Sequence, residues 1–246
     1  MFHADPYRVE DITMTPFEDL VARATADPQV LGLILTGSHA RDMATEHSDH
    51  DVLVVVESFT EAWPEPMIHT PELDTIPYLL EWLSDTSDKW LRWQFRGARV
   101  LLDRTDGTVL ADLCRAQPTL TPQETREWSR EYLDGYINQI YRAAKNRRDG
   151  QLTLARLELM ESVSWFLATL FALHGRVRPY NKYLRWELEN YPLGEPWDAA
   201  TLPERLAADP ASLWPDLERL ARQRGHADII DAWDPHELAL LRPAGT

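Results

Sequence analysis

Two pairs of residues near the N-terminus are spaced to hold a phosphate and a divalent cation. Gly37-Ser38 follows the apolar run Val30–Leu35, and Asp49-His50-Asp51 leads into a second one, Val52–Val56. Glycine permits a tight turn out of a buried strand and lets a phosphate approach the backbone closely. Ser38 then stands at a helix start, where free N–H groups and the helix dipole favour an anion, and its hydroxyl adds a donor. Asp49 and Asp51 are two apart, so on a strand they project from one face, with Cα atoms roughly 7 Å apart. Carboxylates so placed repel unless a cation sits between them. Hard oxygen ligands suit Mg²⁺, which binds one or two carboxylates together with substrate phosphates. A phosphate grip and a magnesium grip on adjacent elements are what phosphoryl or nucleotidyl transfer needs. Either pair alone reads as a turn or a loop; together, between two apolar strands, they point to chemistry. His47-x-Asp49-His50 suggests zinc, but no fourth ligand follows at a useful spacing.

The elements that must position these residues are legible in the same stretch. Thr15-Pro16-Phe17-Glu18 reads as an N-cap with proline at the first helical position, opening a helix to about Ala26. Val30–Leu35 suits a buried strand, His39–Glu46 a short helix, and Asp51–Val56 a central strand apolar on both faces. After the proline-rich stretch Trp63–Pro71, Glu72–Tyr78 and Arg99–Asp103 read as strands, with helical spacing over Leu79–Phe95 that sets Trp90 and Trp93 on one packed face. Thr121-Pro122-Gln123-Glu124 opens a helix to about Arg147, Asp149-Gly150 interrupts, and Leu152–His174 is a second long helix. Its apolar residues lie nearly all round, which predicts burial, and Gly175 ends it. Shorter helices are expected over Asn181–Asn190, Ser212–Arg224 and Pro235–Leu241. The expected fold class is α+β: a small mixed β-sheet domain with flanking helices over residues 1–117, then an all-helical domain over residues 118–246.

Composition narrows the partners. With 25 Lys and Arg against 40 Asp and Glu, the chain carries a formal charge of −15, which argues against a basic face that coats nucleic acid. A triphosphate remains compatible, because it arrives with magnesium and needs only a local cationic pocket. The acidic balance favours a cationic second substrate. The single cysteine, Cys114, sits in an amphipathic stretch and has no partner for a disulfide or a CxxC metal site, as suits a reducing cytosol. Met1-Phe2-His3-Ala4-Asp5 lacks the basic and apolar regions of a signal peptide, and no apolar run reaches membrane-spanning length. A cytoplasmic protein away from membranes is expected.

The segment Leu35-Thr36-Gly37-Ser38-His39-Ala40-Arg41, with Ser48-Asp49-His50-Asp51-Val52, resembles the signature of the DNA-polymerase-β-like nucleotidyltransferase superfamily. It is similar above all to that of the small bacterial members, the aminoglycoside adenylyltransferases and the minimal nucleotidyltransferases. The resemblance implies that Gly37 and Ser38 contact the triphosphate, with Arg41 on the nucleotide side, and that Asp49 and Asp51 bind the metals. There are two departures: Asp42 replaces the small residue that usually follows the arginine, and His50 replaces an apolar residue between the aspartates. Such enzymes use a third carboxylate on a later strand as metal ligand or general base. Asp74 is preferred, in an alternating strand expected to pair near Asp51; Asp103, at a turn where aspartate is common for structural reasons, is its rival. Similar adenylyltransferases also place a lysine of the helical domain on the triphosphate. Lys182 looks like that lysine, in the dense basic patch Arg176–Arg185, with Arg178 or Arg185 assisting and Tyr183 or Tyr180 stacking on the base. The same patch also suits a solvated cap on the long helix. Glu158 and Glu161, on the preceding helix, read first as ion-paired or solvated, and otherwise as a second base or a ligand for a cationic substrate.

The resemblance implies a transferase acting on ATP with two Mg²⁺ ions, moving AMP onto a hydroxyl of a small molecule, an aminoglycoside-like antibiotic being the favoured acceptor. Two other readings stand beside it: a protein adenylyltransferase of antitoxin type, and a non-catalytic nucleotide-binding module.

Overall fold

Val52 to Val56 contains no polar side chain, so a strand built on it must be covered on both faces. In the computed structural model, which describes residues 14–89 and 91–241, this is what happens. The chain divides into two units, Met1–Gln117 and Pro118–Thr246.

The first unit holds β1 (Val30–Leu35), β2 (His50–Val56), β3 (Ile68–His69), β4 (Leu73–Leu79) and β5 (Arg99–Asp103) in one sheet of order β3-β4-β2-β1-β5. β2 and β4 run parallel; the other pairings are antiparallel. The pleat sorts β2 into two sets. Val52, Val54 and Val56 join Leu20 and Ala24 of α1 (Pro16–Ala26) in one core, while Leu53 and Val55 join Leu110 and Cys114 of α3 (Val109–Ala116) in the other. Burial and nearby Asp103 push the Cys114 thiol up to about 11, which leaves it an inert core residue. Thr15 caps α1 through a reciprocal bond pair with Glu18, as the sequence predicts.

Two expectations fail in this unit for local reasons, and one strand is unexpected. The helix expected over His39–Glu46 is a single turn, α2 (Gly37–Ala40). Asp42 adopts a left-handed φ of 56°, and the Met43 N–H reaches back to the Ser38 carbonyl at 2.9 Å, which closes the turn. Leu79–Phe95 forms two 3₁₀ turns, Leu80–Ser84 and Leu91–Phe95, rather than a helix. Asp85 accepts from the Ser87 N–H and the Gln117 side chain donates to the Leu83 and Asp85 carbonyls, which offers this backbone an alternative to helix. Strand β3 lies inside the proline-rich stretch, too short for a period to register. Trp90, expected to pack with Trp93, lies outside the described residues, as does the N-terminal segment Met1–Asp5.

The second unit is helical: α4 (Pro122–Arg148), α5 (Leu152–Leu173), α6 (Leu184–Asn190), α7 (Leu202–Ala208), α8 (Trp214–Gln223), α9 (Ala227–Asp231) and α10 (Pro235–Ala239). A 3₁₀ turn at Asn181–Tyr183 replaces the first residues of the expected Asn181–Asn190 helix. The core is aromatic and aliphatic, with Tyr136, Phe166, Phe171 and Trp214 buried between α4, α5 and α8. The buried Tyr136 hydroxyl donates to the Pro210 carbonyl at 2.7 Å. Burial of α5 holds only for its C-terminal part. In the first turns Leu152 is 67% exposed, Leu157 56% and Met160 65%, because only Ala155 on that stretch reaches the core. No helix among the described residues is long and apolar enough to cross a membrane.

Gly32 in β1 marks how closely the sheet and α3 approach. A methyl group there would lie 2.2 Å from Leu110 Cδ1 and 2.9 Å from the Leu102 carbonyl oxygen of the neighbouring strand. The leucine can rotate away, but the carbonyl is held in the ladder. Gly32→Ala is therefore expected to cost about 1–3 kcal/mol of stability, measured as a lower urea midpoint at unchanged slope. A midpoint at or above that of the wild type would mean that the sheet gives way at this position.

Candidate active site

One end of the sheet gathers acidic side chains because pleat and register leave them no other place. Asp51 lies two residues before Leu53 on β2, so it shares that residue's face, and Asp49 precedes it by two. The parallel ladder sets Asp51 opposite Asp74 of β4, and the short antiparallel pairing sets His69 of β3 opposite Asp74. Asp49, His69 and Asp74 each present a ligand atom, and these atoms lie within 4.8 Å of one another. Asp51 stands outside that group, its carboxylate against Gly37. A methyl group on Gly37 would fall 1.7 Å from Asp51 Oδ2, and Gly37 has a φ of 64°, so glycine is required there on two counts.

The turn that carries Gly37 is held from behind. The Thr36 N–H donates to the Asp51 carbonyl at 2.8 Å, tying the end of β1 to the start of β2. Arg41, only 4% exposed, donates to the Gly37 carbonyl and, at 2.7 Å, to the Gln94 carbonyl, with its guanidinium 4.5 Å from the Trp93 ring centroid. Next to it, Asp42 pairs with Arg99. Ser38 is 3% exposed.

His50 explains one departure from the sequence signature. The pleat turns it away from Asp49 and Asp51, towards α1, where its ring stacks on Phe17 at 4.3 Å and on His39 at 3.6 Å. Burial first, and then the His39 charge, lower its pKa, which favours the neutral ring. It does the packing work of the apolar residue it replaces.

His69 is the residue that the sequence reading missed. Its Nδ1 is hydrogen-bonded to Asp74 Oδ1, and this bond, then the Asp74 charge, raise its pKa. The raised pKa favours the charged imidazole, which compensates carboxylate charge when protonated. The available signal was a histidine five residues before a strand aspartate with Pro71 between them, the outline of a tight hairpin. Asp103, the rival third carboxylate, is opposite Gly32 at the far end of β1 from Gly37, where it accepts from the Thr105 N–H at 2.8 Å and closes a turn.

In the helical unit, Lys182 is exposed, and its ammonium lies 5.3 Å from the Tyr183 ring centroid. Tyr183 itself is 8% exposed. Arg176 donates to the Tyr191 carbonyl and Arg185 pairs with Glu204, both in structural ties. Glu158 pairs with Arg142 at 2.8 Å, while Glu161 is exposed.

Two carboxylates and an imidazole suit a divalent ion by donor chemistry. A cation there displaces the proton that His69 holds, so the affinity for Mg²⁺ or Mn²⁺ is expected to fall as pH drops through the raised His69 pKa and to level off above it. Titration calorimetry in buffers of different ionisation enthalpy reads the released proton directly. His69→Gln should flatten the pH profile, and a flat profile in the wild type would separate His69 from the cation site.

Residues 18–105 match the nucleotidyltransferase domain family. Among solved structures, a nucleotidyltransferase-like protein from Exiguobacterium sibiricum 255-15 is similar to 89% of this chain over 80% of its own, with 15% identity and a TM-score of 0.40. No curated protein matches the sequence. The family match spans the Gly37-Ser38 turn and Asp49, Asp51, Asp74 and Asp103. The N-terminal unit carries a nucleotidyltransferase domain, matched over residues 18–105, which marks the chain as a nucleotidyltransferase enzyme.

Proposed function

We propose that this enzyme transfers AMP from ATP to a hydroxyl group of a small molecule, using Asp49, Asp51 and Asp74 as its acidic centre. The observation that carries the reading is the pairing of Asp51 with Asp74 across the parallel strands, with Asp49 on the same face. Three acidic groups at one sheet end are costly unless a cation shares them. Bound Mg²⁺, two ions in this reading, supplies charge neutralisation for the triphosphate and Lewis-acid activation of its α-phosphorus.

The chain's own residues do the rest. The Gly37 turn brings backbone close to the triphosphate, and the Ser38 hydroxyl donates to a phosphate oxygen. Arg41 serves nucleotide binding from behind, by fixing the Gly37 carbonyl rather than by touching phosphate. Asp74, oriented by His69, accepts the acceptor's hydroxyl proton as its oxygen attacks the α-phosphorus. The new O–P bond forms in line as the bond to the β-phosphate bridging oxygen breaks, and pyrophosphate departs with that electron pair. The acidic balance of the chain favours a cationic acceptor of the aminoglycoside kind. Pyrophosphate release on adding ATP, Mg²⁺ and a panel of aminoglycosides is the expected result. Silence with every member would remove that acceptor class, and AMP found by mass spectrometry on a protein of the same cell would favour a protein acceptor instead.

The carboxylates are expected to be indispensable to turnover and dispensable to folding. Asp49→Asn and Asp51→Asn should abolish pyrophosphate release with an unchanged circular dichroism spectrum. In chelator, Asp49→Asn should melt slightly higher, because one charge of a repelling set is gone. A variant of near-normal activity would take that aspartate out of the reaction.

Lys182, exposed and without a carboxylate partner among the described residues, is our choice for neutralising the triphosphate from the helical unit, with Tyr183 supporting its ammonium. Lys182→Ala should weaken ATP binding by roughly 1.5–3 kcal/mol, as for a charge-assisted hydrogen bond, and shift stability by less than about 0.5 kcal/mol. Lost stability at unchanged ATP affinity would make it a structural residue.

A further inference from the structure

Along the first turns of α5 runs a groove of about 920 Å³, formed wholly within the helical unit between the end of α4, the Arg178–Asn181 loop and the end of α7. Its charged lining consists of Arg147, Arg156, Arg178 and Glu161, three cations to one anion in a chain of net charge −15. Many other arginines of this unit are paired, among them Arg142 with Glu158, Arg205 with Asp216 and Arg222 with Asp231. None of the three groove arginines has a carboxylate partner among the described residues.

Arg178 is the most telling. Its Nη1 donates to Ser164 Oγ at 2.6 Å and its Nη2 to Asn181 Oδ1 at 2.8 Å, so neutral groups hold the guanidinium in place without meeting its charge. Its Nε is buried with no acceptor. Burial alone lowers its pKa, as it does for a cation that has lost water and gained no counter-ion. A buried charge is normally paired, and keeping Arg178 unpaired beside two further, exposed arginines costs stability that an anionic ligand would return.

The rest of the lining is apolar, including Leu152 and Met160, among the most exposed large apolar side chains of the protein, with Leu159, Val163 and Leu206 beside them. A polyphosphate has no use for such a wall. The volume is that of a small-molecule site.

We propose that this groove binds a small anionic amphiphile, a carboxylate- or phosphate-bearing molecule with an apolar body, its acidic group on Arg178, Arg156 and Arg147 and its body along Leu152 and Met160. The guanidinium fork matches carboxylate and phosphate oxygens. All of its lining residues belong to the helical unit, and the proposal does not depend on the nucleotide reading.

The test uses the full-length protein and two fluorescent probes of like shape, anionic 8-anilinonaphthalene-1-sulfonate and neutral N-phenyl-1-naphthylamine. Arg156→Glu and Arg147→Gln lie at the surface, so they avoid the folding risk of changing Arg178. Each should weaken the anionic probe by roughly tenfold while shifting the neutral one by less than about twofold. Decanoate should displace the anionic probe, and metal-free ATP should not. Equal affinity for the anionic probe in wild type and variants would reduce the groove to an apolar patch. Displacement by ATP, lost in the same variants, would assign the arginines to the triphosphate. Either result overturns the proposal.

Discussion

Mutual repulsion among Asp49, Asp51 and Asp74 is the constraint around which the N-terminal unit is arranged. Strand pleat puts the first two on one face, and parallel pairing of β2 with β4 brings the third alongside. Arg41 donates to the Gly37 and Gln94 carbonyls and Arg99 pairs with Asp42. His69, bonded to Asp74, is a group whose charge can be withdrawn when a metal arrives. A fixed arginine in its place would compete with the metal permanently. A titratable imidazole makes the acidic cluster tolerable without closing it.

Holding such a cluster in register demands rigidity from the surrounding strands. β2 obtains it by being buried on both faces, with α1 on one side and α3 on the other. A one-residue slip of β2 would exchange the faces, burying Asp51 against α1 and exposing His50 to the cation site. The stack of Phe17, His50 and His39 resists that slip, since only one face offers His50 aromatic partners. Arg41 acts on the other partner of the site, the Gly37 turn. Its stacking on Trp93 and its bond to the Gln94 carbonyl link that turn to a segment some fifty residues later in the chain.

The strands were legible in the sequence because burial on two faces leaves uninterrupted apolar runs, and so was the closeness of Asp74 to Asp51, which follows from alternation in β4. His69 was not legible. Two residues of β3 carry no period, and the histidine acquires its meaning only from the hairpin that folds it onto Asp74. The false helix over Leu79–Phe95 has a different origin. Leu83, Trp93 and Phe95 are core residues, but Asp85 and the distant Gln117 side chain satisfy the backbone locally. A periodicity count takes no account of such competing hydrogen bonds.

The opposite error on α5 is the more instructive one. Apolar residues all round a helix imply burial only if the unit has enough partners to cover them, and the first turns of α5 have too few. Uncovered leucines beside unpaired arginines are two separate costs, one of hydration and one of charge, meeting in the same groove. Either alone is ordinary on a protein surface. Their coincidence is harder to maintain by chance, since nearby glutamates and aspartates are abundant in this chain and are used to pair arginines elsewhere on the same unit. A surface that leaves both unmet in one groove is best understood as complementary to something with one charged end and one apolar end. Net charge therefore says little about which ligands this protein receives: a strongly acidic chain keeps three arginines without a carboxylate partner in one groove while pairing many others.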